Sequence, residues 1–392
     1  MRRTELLQEI RLMRFTEARE GWQGGRLTQE EAARLLGVCE RSFRRYLNRY
    51  EDAGLEGLID KRLSQVSGRR APVDEVMALA ELYQSRYQGW NVQHFYAWYR
   101  REHKGGRSYN WVRKTLQAQG AVARSPKRGA HRKRRDPKPL PGMMIHQDGS
   151  EHEWVPDQIW DLIVTMDDAD SEHYSMFFCD EEGTQSSFRG VGEAILTHGL
   201  FGSFYSDRGS HYWNTPKAGG KVDKVNLTQF GRAMKQLSIE MIPAYSPEAR
   251  GRSERAFRTH QERLPKELAL AGITDMAAAN RYLAKTYRKA FNAEFMRPAM
   301  EQGSAFVPWI GAGLDDILCE QFERVVGNDN CVRFEGLALQ IPPDRHRCHY
   351  VKARVRVHRY PNGRLAIFHG PRKLAIFDAN GKEIKQKKRI AA

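Results

Sequence analysis

The chain has 392 residues, enough for two to four separately cored domains. Lys and Arg outnumber Asp and Glu by 64 to 48, and the net charge of +16 points to a polyanionic partner. No apolar run approaches the ~20 residues that a membrane span needs, and the five cysteines (Cys39, Cys179, Cys319, Cys331, Cys348) form no CxxC pair, which argues against a disulfide framework or a Cys-rich zinc site. A cytoplasmic location is expected. The charge is partitioned: residues 1–140 hold 30 basic and 16 acidic side chains, 141–300 hold 18 and 22, and 301–392 hold 16 and 10. Basic arms flanking a slightly acidic centre suit a protein that grips DNA around a carboxylate-bearing core.

Residues 1–62 read as a helix-turn-helix domain. Thr28 and Glu31 make a capping box at a helix start, and Ala32, Leu35 and Leu36 supply that helix's apolar face. Gly37-Val38 is the turn. The next helix, 40–50, buries Phe43 and Leu47 and presents Arg41, Arg44, Arg45 and Arg49, as a major-groove reader must. A solvated basic helix in a generic bundle is the alternative. The stretch 61–72 is a linker. Residues 73–120 read as three helices, a second helix-turn-helix-like domain with Arg113 and Lys114 on its last helix and Trp90, Phe95, Trp98 and Trp111 in its core. The segment 121–141 is a basic linker whose Arg132, Lys133, Arg134 and Arg135 would lie along phosphates.

From residue 142 to 300 the pattern predicts strands at 143–149, 160–166 and 174–179, a helix at 184–198, a strand at 201–205, a helix at 227–237, a strand at 238–242 and a long helix from about 248. Three strands, helix, strand, helix, strand, helix is the order of an RNase H-like core. From 324 to 385 strands dominate. Val351, Ala353, Val355 and Val357 alternate with Lys352, Arg354, Arg356 and His358, so a small β-barrel with a basic face is expected. The fold class is thus multidomain α+β: helix-turn-helix domains, an RNase H-like core and a C-terminal barrel. His346, Cys348 and His349 lack a fourth partner at zinc-site spacing.

Metal-assisted phosphodiester chemistry needs carboxylates converging on one point. Asp148 ends the first strand in Gln147-Asp148-Gly149, and Asp207 follows the fourth strand in Ser206-Asp207-Arg208-Gly209. These strands are neighbours in the RNase H-like order. Glu254 lies early in the long helix, in Gly251-Arg252-Ser253-Glu254-Arg255, with Arg250, Arg255 and Arg258 around it to hold phosphates. Glu248 is the rival for the third position, although Pro247-Glu248 is also a helix-start pattern. Asp167, Asp168 and Asp170 read as turn formers, with a helix cap or an extra ligand as the alternatives.

These motifs, in this order, resemble the D-D-E transposase and retroviral-integrase superfamily, and within it bacterial insertion-sequence transposases of the ISNCY type. The resemblance covers most of the chain, and the C-terminal barrel is its loosest part. It departs in the 46 residues between Asp207 and Glu254, more than is common among integrase relatives; the Gly- and Lys-rich stretch 211–225 accounts for the excess. The resemblance implies that Asp148, Asp207 and Glu254 bind two Mg²⁺ ions, with Mn²⁺ as a substitute. It also implies cleavage to free a 3′-OH, joining of that end to target DNA, and a homodimer or larger assembly on paired ends of double-stranded DNA. A helix-turn-helix regulator with an inactive body, and an RNase H-like nuclease that cleaves without joining, are the alternatives.

Overall fold

The computed structural model describes residues 3–60, 70–124, 136–217, 220–245, 251–311, 313–343 and 347–384. The expected phosphate contacts Arg132, Lys133, Arg134, Arg135 and Arg250, the rival Glu248, and His346 lie outside the described residues. Among the described residues, no helix is long and apolar enough to cross a membrane. The chain divides into two compact units, Met1–Arg86 with Val112–Ala121, and Tyr87–Trp111 with Val122–Ala392.

The first unit opens with α1 (Arg3–Gln23), α2 (Gln29–Leu35) and α3 (Glu40–Ala53). The capping box at the start of α2 is formed: Thr28 Oγ1 accepts from Glu31 N at 3.2 Å, and Glu31 Oε2 accepts from Thr28 N at 2.8 Å. Gly37, at φ +66°, turns the chain between α2 and α3 as expected. One assignment changes. Ala32 and Ala33 face the core and Leu35 is 48% exposed, because Phe15, Ala18 and Trp22 of α1 approach α2 along its alanine face. Phe43 and Leu47 complete that core, leaving Arg41, Arg44, Arg45 and Arg49 on the exposed face of α3. A helix α4 (Val73–Arg86) follows.

In the second unit, α5 (Val92–Arg101) is capped by Asn91, whose Oδ1 accepts from His94 N at 2.8 Å. The helix α6 (Tyr109–Ala118) begins here. The sheet comprises β1 (Met144–Val155), β2 (Gln158–Asp167), β3 (His173–Cys179), β4 (Ser203–Ser206) and β5 (Glu240–Pro243), in the order β3-β2-β1-β4-β5. β1, β2 and β3 pair antiparallel; β4 runs parallel to β1, and β5 parallel to β4. This is the expected RNase H-like arrangement. Helices α7 (Thr184–His198) and α8 (Gln229–Gln236) cover one face through Ile145, Phe188, Val191, Phe204, Phe230 and Met234. Helices α9 (Ser253–Leu270), α10 (Met276–Tyr282) and α11 (Arg288–Phe295) belong to the core of the other face, with Trp154, Leu162, Val164 and Phe178. β1 continues six residues past Gly149, paired with β2 as far as Val155, so Asp148 sits mid-strand rather than at a strand end.

The C-terminal region has a short helix α12 (Leu314–Ile317) and the strands β6 (Glu320–Val325), β7 (Cys331–Phe334), β8 (Leu337–Gln340), β9 (Arg354–Arg359), β10 (Leu365–His369) and β11 (Arg372–Phe377). They form a four-stranded sheet, β11-β10-β9-β6, and a β7-β8 hairpin around one core that includes Val332, Phe334, Leu339, Val355, Val357 and Ile367. No closed barrel forms among the described residues. Lys352 is not on the basic face of β9. It occupies a turn at φ +60°, and its N–H donates to Val326 O at 3.0 Å, so the alternating pattern begins only at Arg354.

Candidate active site

The register of β1 with β4 builds the site. Ile145 pairs with Phe204 and His146 with Tyr205. Asp148 follows His146 by two residues on β1, and Asp207 follows Tyr205 by two, one residue past the end of β4, so the register carries the two chains to the same edge of the sheet. Asp148 is 9% exposed, and its Oδ1 accepts from Gly149 N at 3.1 Å. Asp207 Oδ1 accepts from Gly209 N at 2.9 Å as the chain turns out of β4. On the same face of β1, Ser150 Oγ accepts from Gln261 Nε2 of α9 at 2.9 Å, so α9 crosses the strand that bears Asp148.

Glu254 is the second residue of α9 and is exposed, as are Arg255 and Arg258. Among the described residues, no group of three or more His, Cys, Asp or Glu side chains is placed to hold a metal ion. Asp148 and Asp207 thus stand on neighbouring strands of the sheet, while the Glu254 side chain faces solvent. The donors at Asp148, Asp207 and Glu254 are all carboxylate oxygens, a set that fits a hard divalent cation such as Mg²⁺.

Behind Asp148 lies a buried polar lattice. Gln147 Nε2 donates to Thr165 Oγ1 at 2.8 Å and to Ser187 O at 3.3 Å, and Gln147 Oε1 accepts from the Tyr212 hydroxyl at 3.1 Å. Burial raises the Tyr212 phenol well above its usual range, and the charges of Glu182, Asp148 and Asp207 add to the effect, so it stays a donor. Gly190 of α7 makes room for this lattice: a Cβ there would fall 2.1 Å from Gln147 Nε2.

Two groups escaped the sequence reading. Glu182 lies against Gly149, where a Cβ would come within 2.4 Å of Glu182 Oε2, and its Oε1 stands 3.6 Å from His211 Nε2. Both residues sit in loops, where no periodicity marks them. The second is Asp168, whose neighbours behave as expected of turn formers. Asp167 accepts from Ala169 N and Gly142 N, each at 2.7 Å, and burial raises its carboxyl to about 6. Asp170 accepts from Glu172 N at 2.8 Å. Asp168 is different: it is fully buried and accepts from His146 Nε2 at 2.8 Å, Arg252 Nη1 at 2.6 Å and Lys138 N at 2.7 Å. A run of acids after a strand was the available signal, but the partners that distinguish one acid from the others come from distant segments.

Comparison with known proteins fixes the family. "Putative transposase y4bF" of Sinorhizobium fredii is 30% identical over 357 residues, which are 88% of this chain and 75% of that protein. The chain belongs to the same transposase family. The transposase for insertion sequence IS1202 of Streptococcus pneumoniae is 28% identical over 199 residues, 51% of this chain and 42% of that protein. Residues 17–74 of the transposase match the winged helix-turn helix family, a span that contains α2 and the arginine-bearing α3. Among solved structures, the simian T-cell lymphotropic virus intasome in complex with PP2A regulatory subunit B56 gamma covers 79% of this chain and 100% of its own. It matches at 13% identity and TM-score 0.32. The HTLV-2 integrase catalytic core domain in complex with magnesium, in its dimeric form, covers 38% and 90% at 15% identity and TM-score 0.29. Likenesses of that size carry no weight.

The other basic residues named from the sequence are dispersed over the transposase. Lys114 is exposed on α6 and Arg113 half-buried. Arg354 is exposed at the start of β9, whereas Arg356 is half-buried and donates to Gln321 Oε1 at 3.2 Å. A cation held in that way is less available to a phosphate than Arg354.

Proposed function

We propose that this transposase binds the ends of an insertion sequence, cleaves there to free a 3′-OH and joins that end to target DNA. The observation that carries the reading is the β1–β4 register, which supports Asp148 and Asp207 as a matched carboxylate pair. Glu254, at the start of the helix that crosses β1, is the third member. These three would hold two Mg²⁺ ions, with Mn²⁺ as a substitute; when bound, the metal supplies Lewis-acid stabilisation of the attacking and leaving oxygens. In the first step, a water oxygen forms a bond to phosphorus and the bond from phosphorus to the 3′-oxygen breaks, leaving a 3′-OH. In the second, that 3′-oxygen attacks a target phosphodiester and displaces the target's 3′-oxygen, so the number of phosphodiester bonds is conserved.

The chain's own residues supply position and charge. Asp148 and Asp207 present carboxylates from a rigid strand pair, and the buried Gln147 amide holds the backbone of β1 beside them. Arg250, Arg255 and Arg258 would pair with DNA phosphates beside Glu254. In the helix-turn-helix domain (1–62), Arg41, Arg44, Arg45 and Arg49 would enter the major groove. Arg113 and Lys114 of the 73–120 segment, the linker residues Arg132–Arg135, and Lys352, Arg354 and Arg356 of the 324–385 region would line the remaining DNA. Since two ends are joined, a homodimer or larger assembly is part of the reading.

The test is strand transfer by the purified full-length protein with Mg²⁺ and a labelled end oligonucleotide. Joined product is expected from the intact protein and none from Asp207→Ala or Glu254→Ala. Joining that survives either substitution would overturn the site. Cleavage without joining would indicate a nuclease, and end binding with neither reaction would indicate a regulator.

A further inference from the structure

The buried carboxylate of Asp168 touches two arms of the proposed site directly, and the third through His146, each time two residues before the acid. On β1 it accepts from His146 Nε2 at 2.8 Å, and Asp148 follows two residues later. The His146 ring lies 4.9 Å, centroid to centroid, from Tyr205 of β4, two residues before Asp207. At the start of α9, Arg252 Nη1 donates to Asp168 Oδ1 at 2.6 Å and also to Asp168 O, two residues before Glu254. The Asp168 N–H donates to Met144 O of β1 at 3.0 Å, and Oδ2 accepts from Lys138 N at 2.7 Å, so both the backbone and the carboxylate of Asp168 are held.

We infer that Asp168 and Arg252 are positioning residues, a buried ion pair that sets where α9 delivers Glu254 relative to Asp148 and Asp207. This inference rests on the proposed triad. Arg252 stands at the N-cap position of α9, where its guanidinium, having only donors, cannot cap the helix N–H groups and reaches Asp168. Asp168 is unsuited to be a metal ligand itself: it has no exposed surface, and its oxygens already accept from a guanidinium, an imidazole and a backbone amide. Groups behind metal-binding side chains typically change metal affinity 10–100-fold when removed, because they set ligand orientation.

The experiment uses full-length protein and Mn²⁺, with bound metal read by electron paramagnetic resonance, alongside circular dichroism and end-DNA binding. Arg252→Gln is expected to keep its fold and its end binding while its Mn²⁺ affinity falls roughly 10–100-fold. Excess Mg²⁺ should restore joining. The double variant with Glu254→Gln should bind Mn²⁺ no more weakly than Glu254→Gln alone, since the pair acts through that carboxylate. Arg252→Lys, which keeps the charge and one hydrogen bond, should lie between wild type and Arg252→Gln. Unchanged Mn²⁺ affinity in Arg252→Gln, or losses that add in the double variant, would overturn the inference while leaving the triad intact. Unchanged Mn²⁺ binding and joining in Glu254→Gln would remove the triad assignment and this inference with it. Should Arg252→Gln fail to fold, wild-type Mn²⁺ affinity in Arg252→Lys overturns the inference and a reduced one supports it.

Discussion

Gly190→Ala is a single-methyl change that should be felt at Asp148. The added Cβ would sit 2.1 Å from Gln147 Nε2, 2.6 Å from Thr165 Oγ1 and 3.3 Å from Gln147 Cδ. Gln147 Nε2 ends a flexible side chain, but that side chain is not free to swing. Gln147 is 2% exposed and Thr165 fully buried, and the Gln147 amide is hydrogen-bonded on both its nitrogen and its oxygen. Either α7 must move away from the sheet or the Gln147 amide must leave its partners. Overpacking of a tight core costs about 1–3 kcal/mol, and a buried amide stripped of its partners costs about 1–3 kcal/mol more. The loss is about 1–3 kcal/mol if α7 moves and up to about 6 kcal/mol if the amide is also stripped, large against the 5–15 kcal/mol that holds a typical domain folded. Urea unfolding followed by tryptophan fluorescence should show a lower midpoint with an unchanged slope. Removing the obstructing amide with Gln147→Ala in the same chain should recover part of the loss. A Gly190→Ala protein that unfolds at the wild-type urea concentration would show that the space at Gly190 is not occupied as described.

Acidification should destabilise the five-stranded sheet and the helices packed on it. His173 Nδ1 bonds to Ser171 O at 3.1 Å, which makes it the donor there; His173 Nε2 then accepts from His260 Nε2 at 3.1 Å, and His260 Nδ1 accepts from Tyr287 Oη at 3.0 Å. Burial drives His173 down to about 4 and His260 well below the usual histidine range, so the unfolded chain binds these protons first. Their contribution is complete above about pH 6.5 and falls by about 1.4 kcal/mol per pH unit for each histidine as pH drops toward 4. Asp167, raised to about 6, acts oppositely and offsets one of them between about 6 and 3.8. The urea midpoint should therefore be lower at pH 5 than at pH 7, and equal midpoints would contradict the tautomers assigned here. In the helix-turn-helix, Arg45→Ala removes an exposed cation from α3. If Arg45 contacts a phosphate, end binding should weaken and the slope of log K against log salt should shrink by about one; unchanged affinity and slope would take Arg45 off the DNA.

Where local rules dominate, the sequence was legible. α7 spans Thr184–His198 as expected because Gly183 and Gly199 bracket it, and Gly199 sits at φ +110°. The capping box and the glycine turn placed α2 and α3. β6 and β11 are hard to place individually from sequence: both edge the C-terminal sheet, and Glu320, Glu323, Arg324, Arg372 and Lys373 hide their apolar positions, as charge on an edge strand commonly does. The outer half of β1 was missed for a related reason, since Ser150, Glu151, His152 and Glu153 read as loop until the pairing with β2 is seen. Asp148 and Asp207 could be paired from strand order alone. The role of Asp168 could not, because its partners His146 and Arg252 lie 22 and 84 residues away and no local pattern links them.

α9 is held at a second place as well. Toward its far end, Glu267 Oε1 meets His94 Nε2 at 2.7 Å, Glu262 Oε2 accepts from Asn91 Nδ2 at 3.2 Å, and Lys266 Nζ donates to Gly89 O at 3.0 Å. Arg252 and Glu267 are thus fastened at opposite ends of one rod about 22 Å long. A helix cannot absorb a change of length between two fixed points: one inserted residue advances the far end by about 1.5 Å and turns it by about 100°. The stretch from Arg252 to Glu267 should therefore tolerate substitution far better than insertion or deletion. Length variation in this half of the protein is better accommodated after Leu270, where Gly272 lets the chain leave the helix in a left-handed turn.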